Sequence, residues 1–376
     1  MSFIFASDSF KGSLNSSRIS KILEECLKNE LPKAQSHSFL IADGGEGTLD
    51  AFLSREGAKG VTISVCDPLF RKIDSSYAVL YDTAIIALSE ASGLTLLSEN
   101  ERNPLNTTTY GTGELILDAL KNGYQNIVIA IGGSATNDGG TGCMSALGVR
   151  FLDKDGKIVQ GVGKNLESIS KIDTSSISPL VKNAHFTVMC DVTNTLTGEN
   201  GATYVYGPQK GATPEICVQL EHGMKNYAEV IKRDLKIDAE KIIGGGAAGG
   251  IGAALSCFLG AKMTSGIETL LDLVNFDSYL ENASYVISGE GRIDSQSACG
   301  KVISGIGKRC QKYGVPLICI AGCLGDGYEA VYKIGVKKIY TLVSDDVDTK
   351  TAISEAEKIY TLRAKELFKD IKRSDV

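Results

Sequence analysis

The sequence predicts an α/β protein: a doubly wound parallel sheet with a second, mixed α/β domain inserted into it. Three observations carry this expectation. Short, almost continuous apolar runs alternate with helix-like periodicity, as in parallel strands covered on both faces by helices. A middle stretch breaks that alternation with closely spaced strands. The 42 glycines, against 7 prolines, cluster just after the apolar runs instead of spreading as a linker would.

The apolar runs at residues 3–6, 39–41, 127–131, 186–189, 285–287 and 317–320 have the length and composition of buried strands. Most end on a chemical group. Asp8 follows the first, Ala42-Asp43-Gly44-Gly45-Glu46-Gly47 the second, Gly132-Gly133-Ser134 the third, Cys190-Asp191 the fourth and Ser288-Gly289-Glu290-Gly291 the fifth. Helices are expected between them. Residues 16–30 open with serines, place Ile19, Ile22, Leu23, Cys26 and Leu27 on one face, and stop before Leu31-Pro32. Residues 48–55 form a shorter candidate. Residues 113–121 run to the Asn122-Gly123 stop, and 301–313 precede Val315-Pro316.

Residues 61–65, 77–81 and 84–88 are strands with short separators, and Asp82-Thr83 is the two-residue connection of a hairpin. Antiparallel pairing of that kind belongs to another domain. The expected division is therefore a discontinuous first domain of residues 1–60 and 285–376, and an inserted domain of 61–284.

Composition narrows the function class. A chain of 376 residues suits two domains at about 150 residues each, and 43% hydrophobic with 22% charged residues suits a packed core. The formal charge of -6 disfavours a general nucleic-acid partner, which needs a basic face. The start, MSFIFASDSFKGSLNS, lacks the pattern of a signal peptide, and no run approaches the roughly 18 apolar residues of a membrane span. A cytoplasmic protein without membrane association is expected. The ten cysteines lack zinc spacing and are read as core thiols, Cys319 and Cys323 included.

In an open parallel sheet, ligands collect at the carboxyl ends of the strands. Asp8, Asp43, Glu46, Asp191 and Glu290 stand there, and burying several like charges together calls for a metal or cationic partner. Lys11 in the segment 8–13 and Arg292 in 289–296 add cations, with Lys301 a third or merely an exposed helix start. Phosphoryl transfer uses this mixture: oxygen ligands for Mg²⁺, cations for phosphate charge, and an acceptor for the attacking hydroxyl's proton.

Gly132, Gly133, Ser134, Ala135, Thr136, Asn137, Asp138 and Gly139, continuing to Gly142, form the strongest glycine signal. Successive N–H groups there suit a phosphate, and a structural surface loop is the alternative. Gly244, Gly246 and Gly249 spell GxGxxG, but the preceding strand is too short and Glu268 falls in a helical pattern. A nicotinamide site is rejected in favour of close packing or a substrate-facing loop. Gly207-Pro208-Gln209-Lys210 is equally a substrate loop or a plain turn. No Walker A, protein-kinase or GxSxG signature is present, and His37, His185 and His222 have no metal spacing.

These stretches resemble the type I bacterial glycerate kinase family. DSFKGSL (8–14), ADGGEGT (42–48), TTTYGTGE (107–114), IGGSATNDGG (131–140), CDVTN (190–194), YGPQKGAT (206–213), GAAGGIG (246–252) and GEGRIDSQ (289–296) match in order over nearly the whole chain. The resemblance implies ATP-dependent phosphorylation of D-glycerate, usually to 2-phosphoglycerate, by two α/β domains around a cleft, one of them flavodoxin-like. Thr195 stands where the family commonly has Pro, Tyr206 where Phe is usual, and Ser297 where Thr is usual. Losing that Pro loosens the turn after Asp191.

On this basis the ATP phosphates are expected on the 132–142 loop, Mg²⁺ near Asp43, Glu290 or Asp294, and the hydroxyl proton on Asp191. Lys11, Lys210 and Arg292 are expected to meet phosphate or carboxylate charge, and Asp8, Ser9, Lys210 and Gly246 to contact substrate. The rivals are a kinase for another small hydroxy acid and a regulatory protein that binds phosphometabolites without turnover. Monomer and homodimer stay open.

Overall fold

A computed structural model describes residues 1–10, 12–41 and 47–374. Strands β1 (Ser2–Phe5) and β2 (Gln35–Ser38) come first. They are followed by β3 (Lys59–Cys66), β4 (Lys72–Leu80), β5 (Thr83–Ala87), β6 (Asn126–Ala130), β7 (Arg150–Leu152), β8 (Lys171–Asp173), β9 (His185–Met189) and β10 (Lys262–Thr264). The last are β11 (Tyr285–Ile293), β12 (Leu317–Leu324) and β13 (Val336–Thr341).

The chain divides into two compact units, residues 1–43 with 267–376, and residues 44–266. Both crossings come earlier in the chain than the strand pattern suggests. The helix Thr48–Leu53 packs on β4 and β5, and the helix Phe276–Leu280 packs on the helix Val302–Tyr313 of the first unit.

The first unit carries a five-stranded, wholly parallel sheet in the order β13-β12-β11-β1-β2. Counted within the unit this is 2-1-3-4-5, the flavodoxin-like order, so the doubly wound expectation holds. Phe3, Ile4 and Phe5 are all fully buried, because helices cover both faces. On one face Phe3 meets Phe368 of the helix Ala356–Ser374 edge-to-face at 5.6 Å, beside Ile19 and Leu23 of the helix Ser16–Glu30. That second helix has the predicted bounds, and the Asn15 side chain caps it by accepting the Arg18 N–H at 2.8 Å.

One strand differs from expectation. The apolar run 39–41 follows β2 and is not itself strand; β2 is the polar Gln35-Ser36-His37-Ser38. It is an edge strand with half-exposed alternating residues, so it needs no apolar composition, while Phe39 and Ile41 sink into the core beyond it.

The second unit carries a six-stranded mixed sheet in the order β10-β9-β6-β5-β4-β3. The pairs β3/β4 and β4/β5 are antiparallel and the rest parallel. Its hairpin turns one residue earlier than predicted. Leu80 pairs with Thr83, so Tyr81-Asp82 form the loop, with Tyr81 at φ +55°. The core gathers Ile86, Ile129 and Val188 from the sheet with Leu115, Met144, Tyr227, Ile251 and Leu255 from helices. The long helix Pro214–Leu235, capped by Thr213 with Pro at its first position, packs on β8 of the small β7–β8 ribbon. Among the described residues no helix is long and apolar enough to cross a membrane, and the ten cysteines are free.

Candidate functional site

In the first unit, the sheet reverses its winding between β1 and β11; Asp8 follows β1, and Glu290 lies in the carboxyl-terminal half of β11. The Asp8 N–H donates to Gly289 O at 2.9 Å, and its Oδ1 accepts the Ser9 N–H at 2.7 Å. Glu290 and Arg292 are not on a loop: β11 runs on to Ile293, so the two alternate positions share one face of an extended strand. Glu290 is 9% exposed, and among the described residues its Oε1 has no hydrogen-bond partner. Burial pushes its carboxyl up; Ser297 and Lys301 pull it down, while Asp8 and Asp294 raise it further. Asp294 caps the turn Ser295–Ala298, with Oδ1 accepting the Gln296 N–H at 2.9 Å and Oδ2 3.6 Å from the exposed Arg292 Nε. Lys11, Asp43 and Glu46 lie outside the described residues.

A divalent cation suits part of this arrangement. A buried carboxylate oxygen with no partner is the hard donor that Mg²⁺ takes, and Mg²⁺ commonly uses one or two protein carboxylates plus phosphate oxygens. Among the described residues no three Asp, Glu, His or Cys side chains gather closely enough to hold a metal alone.

In the second unit, the glycine loop after β6 is largely interior. Gly133 is exposed and Gly132 half-buried, but Ser134 to Gly140 are buried. Asp138 is its hub. Its carboxylate accepts from Thr109 N–H at 2.9 Å, Thr109 Oγ1 at 2.8 Å, and the Gly140 and Gly142 N–H groups at 3.1 Å each. Burial pushes that carboxyl up while these donors pull it down. The Ala135 N–H donates to Ser92 O and the Gly139 N–H to Gly249 O, both at 2.9 Å. The N–H groups of Ala135, Gly139, Gly140 and Gly142 are thus committed within the fold. Thr136 Oγ1 and Asn137 Oδ1 are buried without hydrogen-bond partners among the described residues.

Lys210, expected to contact substrate, is placed inside the fold. It is 1% exposed and donates to Ser134 Oγ at 2.8 Å and Thr136 O at 2.6 Å, clamping the loop from inside. Burial lowers its pKa to about 7, against the pull of Asp138. Gly246 is likewise structural: it is buried, and a Cβ there would stand 2.0 Å from Thr195 O. Gly249 lies as close to Thr136 O. The GxGxxG spacing therefore packs the segment 244–250 against the loops after β6 and β9, the close-packing alternative.

Asp191 follows β9, is exposed, and accepts the Gly266 N–H on Oδ1 at 2.9 Å. Beyond it the residues that depart from the family pattern hold the chain themselves. Thr195 Oγ1 donates to Thr197 O at 2.8 Å, closing the turn that Pro would stiffen, and the Tyr206 hydroxyl donates to Asn194 Oδ1 at 2.6 Å. Ser297 Oγ accepts the Asp294 N–H at 3.1 Å.

With this arrangement in view, the model of the glycerate kinase family matches residues 3–372. The chain belongs to the glycerate kinase family. It is a small-molecule kinase by that membership. It is 43% identical over 346 residues to the glycerate 2-kinase of Escherichia coli K12, spanning 92% of this chain and 91% of that one. It is 40% identical to the glycerate kinase of Bacillus cereus, spanning 98% and 97%. A crystal structure of a Salmonella typhimurium LT2 protein provisionally named glycerate kinase 2 superposes with a TM-score of 0.87 at 38% identity, covering 100% of this chain and 99% of that one.

Thr109 and Thr203 have no place among the sequence-read site residues. The signal for Thr109 was present as the run Thr107-Thr108-Thr109, three hydroxyls that are fully buried. Thr203 had none, because its partner Asn137 is 66 residues away.

Proposed function

We propose that this kinase transfers the γ-phosphoryl group of ATP to the 2-hydroxyl of D-glycerate, giving ADP and 2-phosphoglycerate. The new bond joins the glycerate oxygen to phosphorus as the bond from phosphorus to the ADP oxygen breaks. Asp191 accepts the hydroxyl proton, which suits an exposed carboxylate at a strand end held through one oxygen by Gly266. Arg292 and Lys11 meet phosphate or carboxylate charge, Asp8 and Ser9 contact substrate, and the Gly132-Gly133 end of the loop receives the nucleotide phosphates. Glu290, with Asp43 and Asp294, would hold Mg²⁺. Bound there, the metal supplies neutralisation of the charge on the transferring phosphoryl group.

The observation that carries this reading is the Oε1 of Glu290, buried and without a hydrogen-bond partner among the described residues, in a chain of this family, at the winding reversal of a flavodoxin-like sheet. Desolvating a carboxylate without a partner is costly, and a cation removes that cost. The 2-position is supported by the name of the Escherichia coli relative. The test is an ADP-release assay with D-glycerate, with and without Mg²⁺, followed by phosphorus NMR of the product. A 2-phosphoglycerate signal and Mg²⁺-dependent release are expected; release no greater than without glycerate would remove the proposal.

A further inference from the structure

The helix Ala202–Tyr206 continues into the turn Pro208–Lys210, and Thr203, Tyr206 and Lys210 recur at the i, i+3, i+7 spacing of one helical face. Each side chain reaches a loop at the carboxyl end of a parallel strand. Asn137 Nδ2 donates to Thr203 Oγ1 at 3.1 Å, and Lys210 grips Ser134 and Thr136 of the same loop after β6. The Tyr206 hydroxyl reaches the other loop, after β9, through Asn194 Oδ1. Asn194 is held on two further sides: its Nδ2 donates to Asn200 O at 2.9 Å, and its carbonyl accepts the Gly246 N–H at 3.0 Å.

We propose that this face is a positioning device of this chain, in which Lys210 and Thr203 fix the glycine loop while the Tyr206 hydroxyl, where Phe is usual in the family, holds the 191–197 loop that here carries Thr195 in place of Pro, and thereby aims Asp191. This rests on Asp191 as the proton acceptor. Apolar packing anchors the loop at Leu196, which is fully buried, whereas Asp191, Val192, Thr193 and Thr195 are exposed. Directional hydrogen bonds hold that exposed stretch, among them Gly266 N–H to Asp191 Oδ1 at 2.9 Å and Tyr206 to Asn194 Oδ1 at 2.6 Å, which joins the loop's middle to a helix. A proton acceptor works only within hydrogen-bond reach, and a displacement of about 1 Å is enough to cost on the order of 100-fold in rate. Tyr206 is suited to the task as a donor: burial, then the neighbouring Cys190, pushes its hydroxyl up, so it keeps its proton at neutral pH.

The experiment uses the full chain with Tyr206→Phe, Asn194→Ala and their combination. Tyr206→Phe removes one oxygen and keeps the ring. Each single change is expected to lower kcat about tenfold with both KM values within about twofold, and the double variant should be no slower than the slower single. Amide exchange across 191–197 should quicken in Tyr206→Phe. A residue that only stabilises the fold would lower Tm and leave the kcat of the folded enzyme intact. Unchanged exchange in Tyr206→Phe overturns the device, whatever Asp191 does. Quickened exchange with wild-type kcat overturns its catalytic consequence. Asp191→Asn at wild-type kcat, beside quickened exchange in Tyr206→Phe, removes the proton-acceptor assignment and leaves the hold on the loop standing.

Discussion

Lys210 Nζ lies 2.8 Å from Ser134 Oγ, and only 1% of the lysine is exposed. An ammonium sealed from water in this way couples stability to pH. Its folded pKa is about 7 and its ordinary value 10.5, so between those values the unfolded chain keeps a proton that the folded chain has lost. Stability therefore rises with pH across that window, and the gain is lost as pH falls to about 7. Cysteine thiols such as Cys143 and Cys257, pushed up by burial, give the opposite slope once pH nears 9. The lysine's effect is thus expected between pH 7 and about 8.5. Wild-type Tm should climb there relative to Lys210→Met; a constant difference in calorimetry would falsify a titrating buried lysine.

Glu290→Gln keeps the shape of the side chain and removes its charge. Activity at fixed Mg²⁺ is expected to fall at least about 100-fold, the scale on which loss of an electrostatic partner in a desolvated site is felt. Tm without metal should hold or rise, because a charge is no longer buried without a partner. Titrating Mg²⁺ against rate checks the assignment. Wild-type Mg²⁺ dependence in this variant counts decisively against it.

Asp191→Asn should lower kcat by about 100- to 10,000-fold, the usual contribution of a proton acceptor. ATP affinity, measured by calorimetric titration, should stay within about threefold, since Asp191 is assigned no phosphate contact. Turnover near wild type ends the proton-acceptor assignment.

Gly246→Ala should be destabilising by about 1–3 kcal/mol, because its Cβ would stand 2.0 Å from the backbone oxygen of Thr195. Urea unfolding measures this. Neither this variant nor the wild type is expected to bind NAD, whose fingerprint the spacing only imitates. A midpoint equal to wild type would show that the segment 244–250 does not press on the loop after β9.

Much of the fold was legible because its signals are local. The parallel strands at β1, β6, β9, β11 and β12 announced themselves by apolar runs, and the helix Ser16–Glu30 by its face and its stop. β2 and β13 escaped for the same physical reason: at the edges of the sheet, a strand partnered on one side keeps polar residues and loses the apolar signature. The candidate acids were legible as residue types near strand ends, since Asp8, Asp191 and Glu290 come shortly after apolar runs.

The direction in which each side chain serves was not legible. Lys210 follows a Gly-Pro turn that has the look of a surface loop, yet it is sealed inside with Ser134 and Thr136, whose positions lie more than 70 residues away in sequence. The sequence alone determined the family, the doubly wound sheet and the acids at its strand ends, because motif order and apolar runs are written along the chain. Only tertiary structure decided that the glycine loop is mostly interior, that GxGxxG is a packing surface, and that Tyr206 and Lys210 hold separate loops. Those outcomes depend on which distant backbones approach within about 3 Å, and no pattern local to the chain encodes that approach.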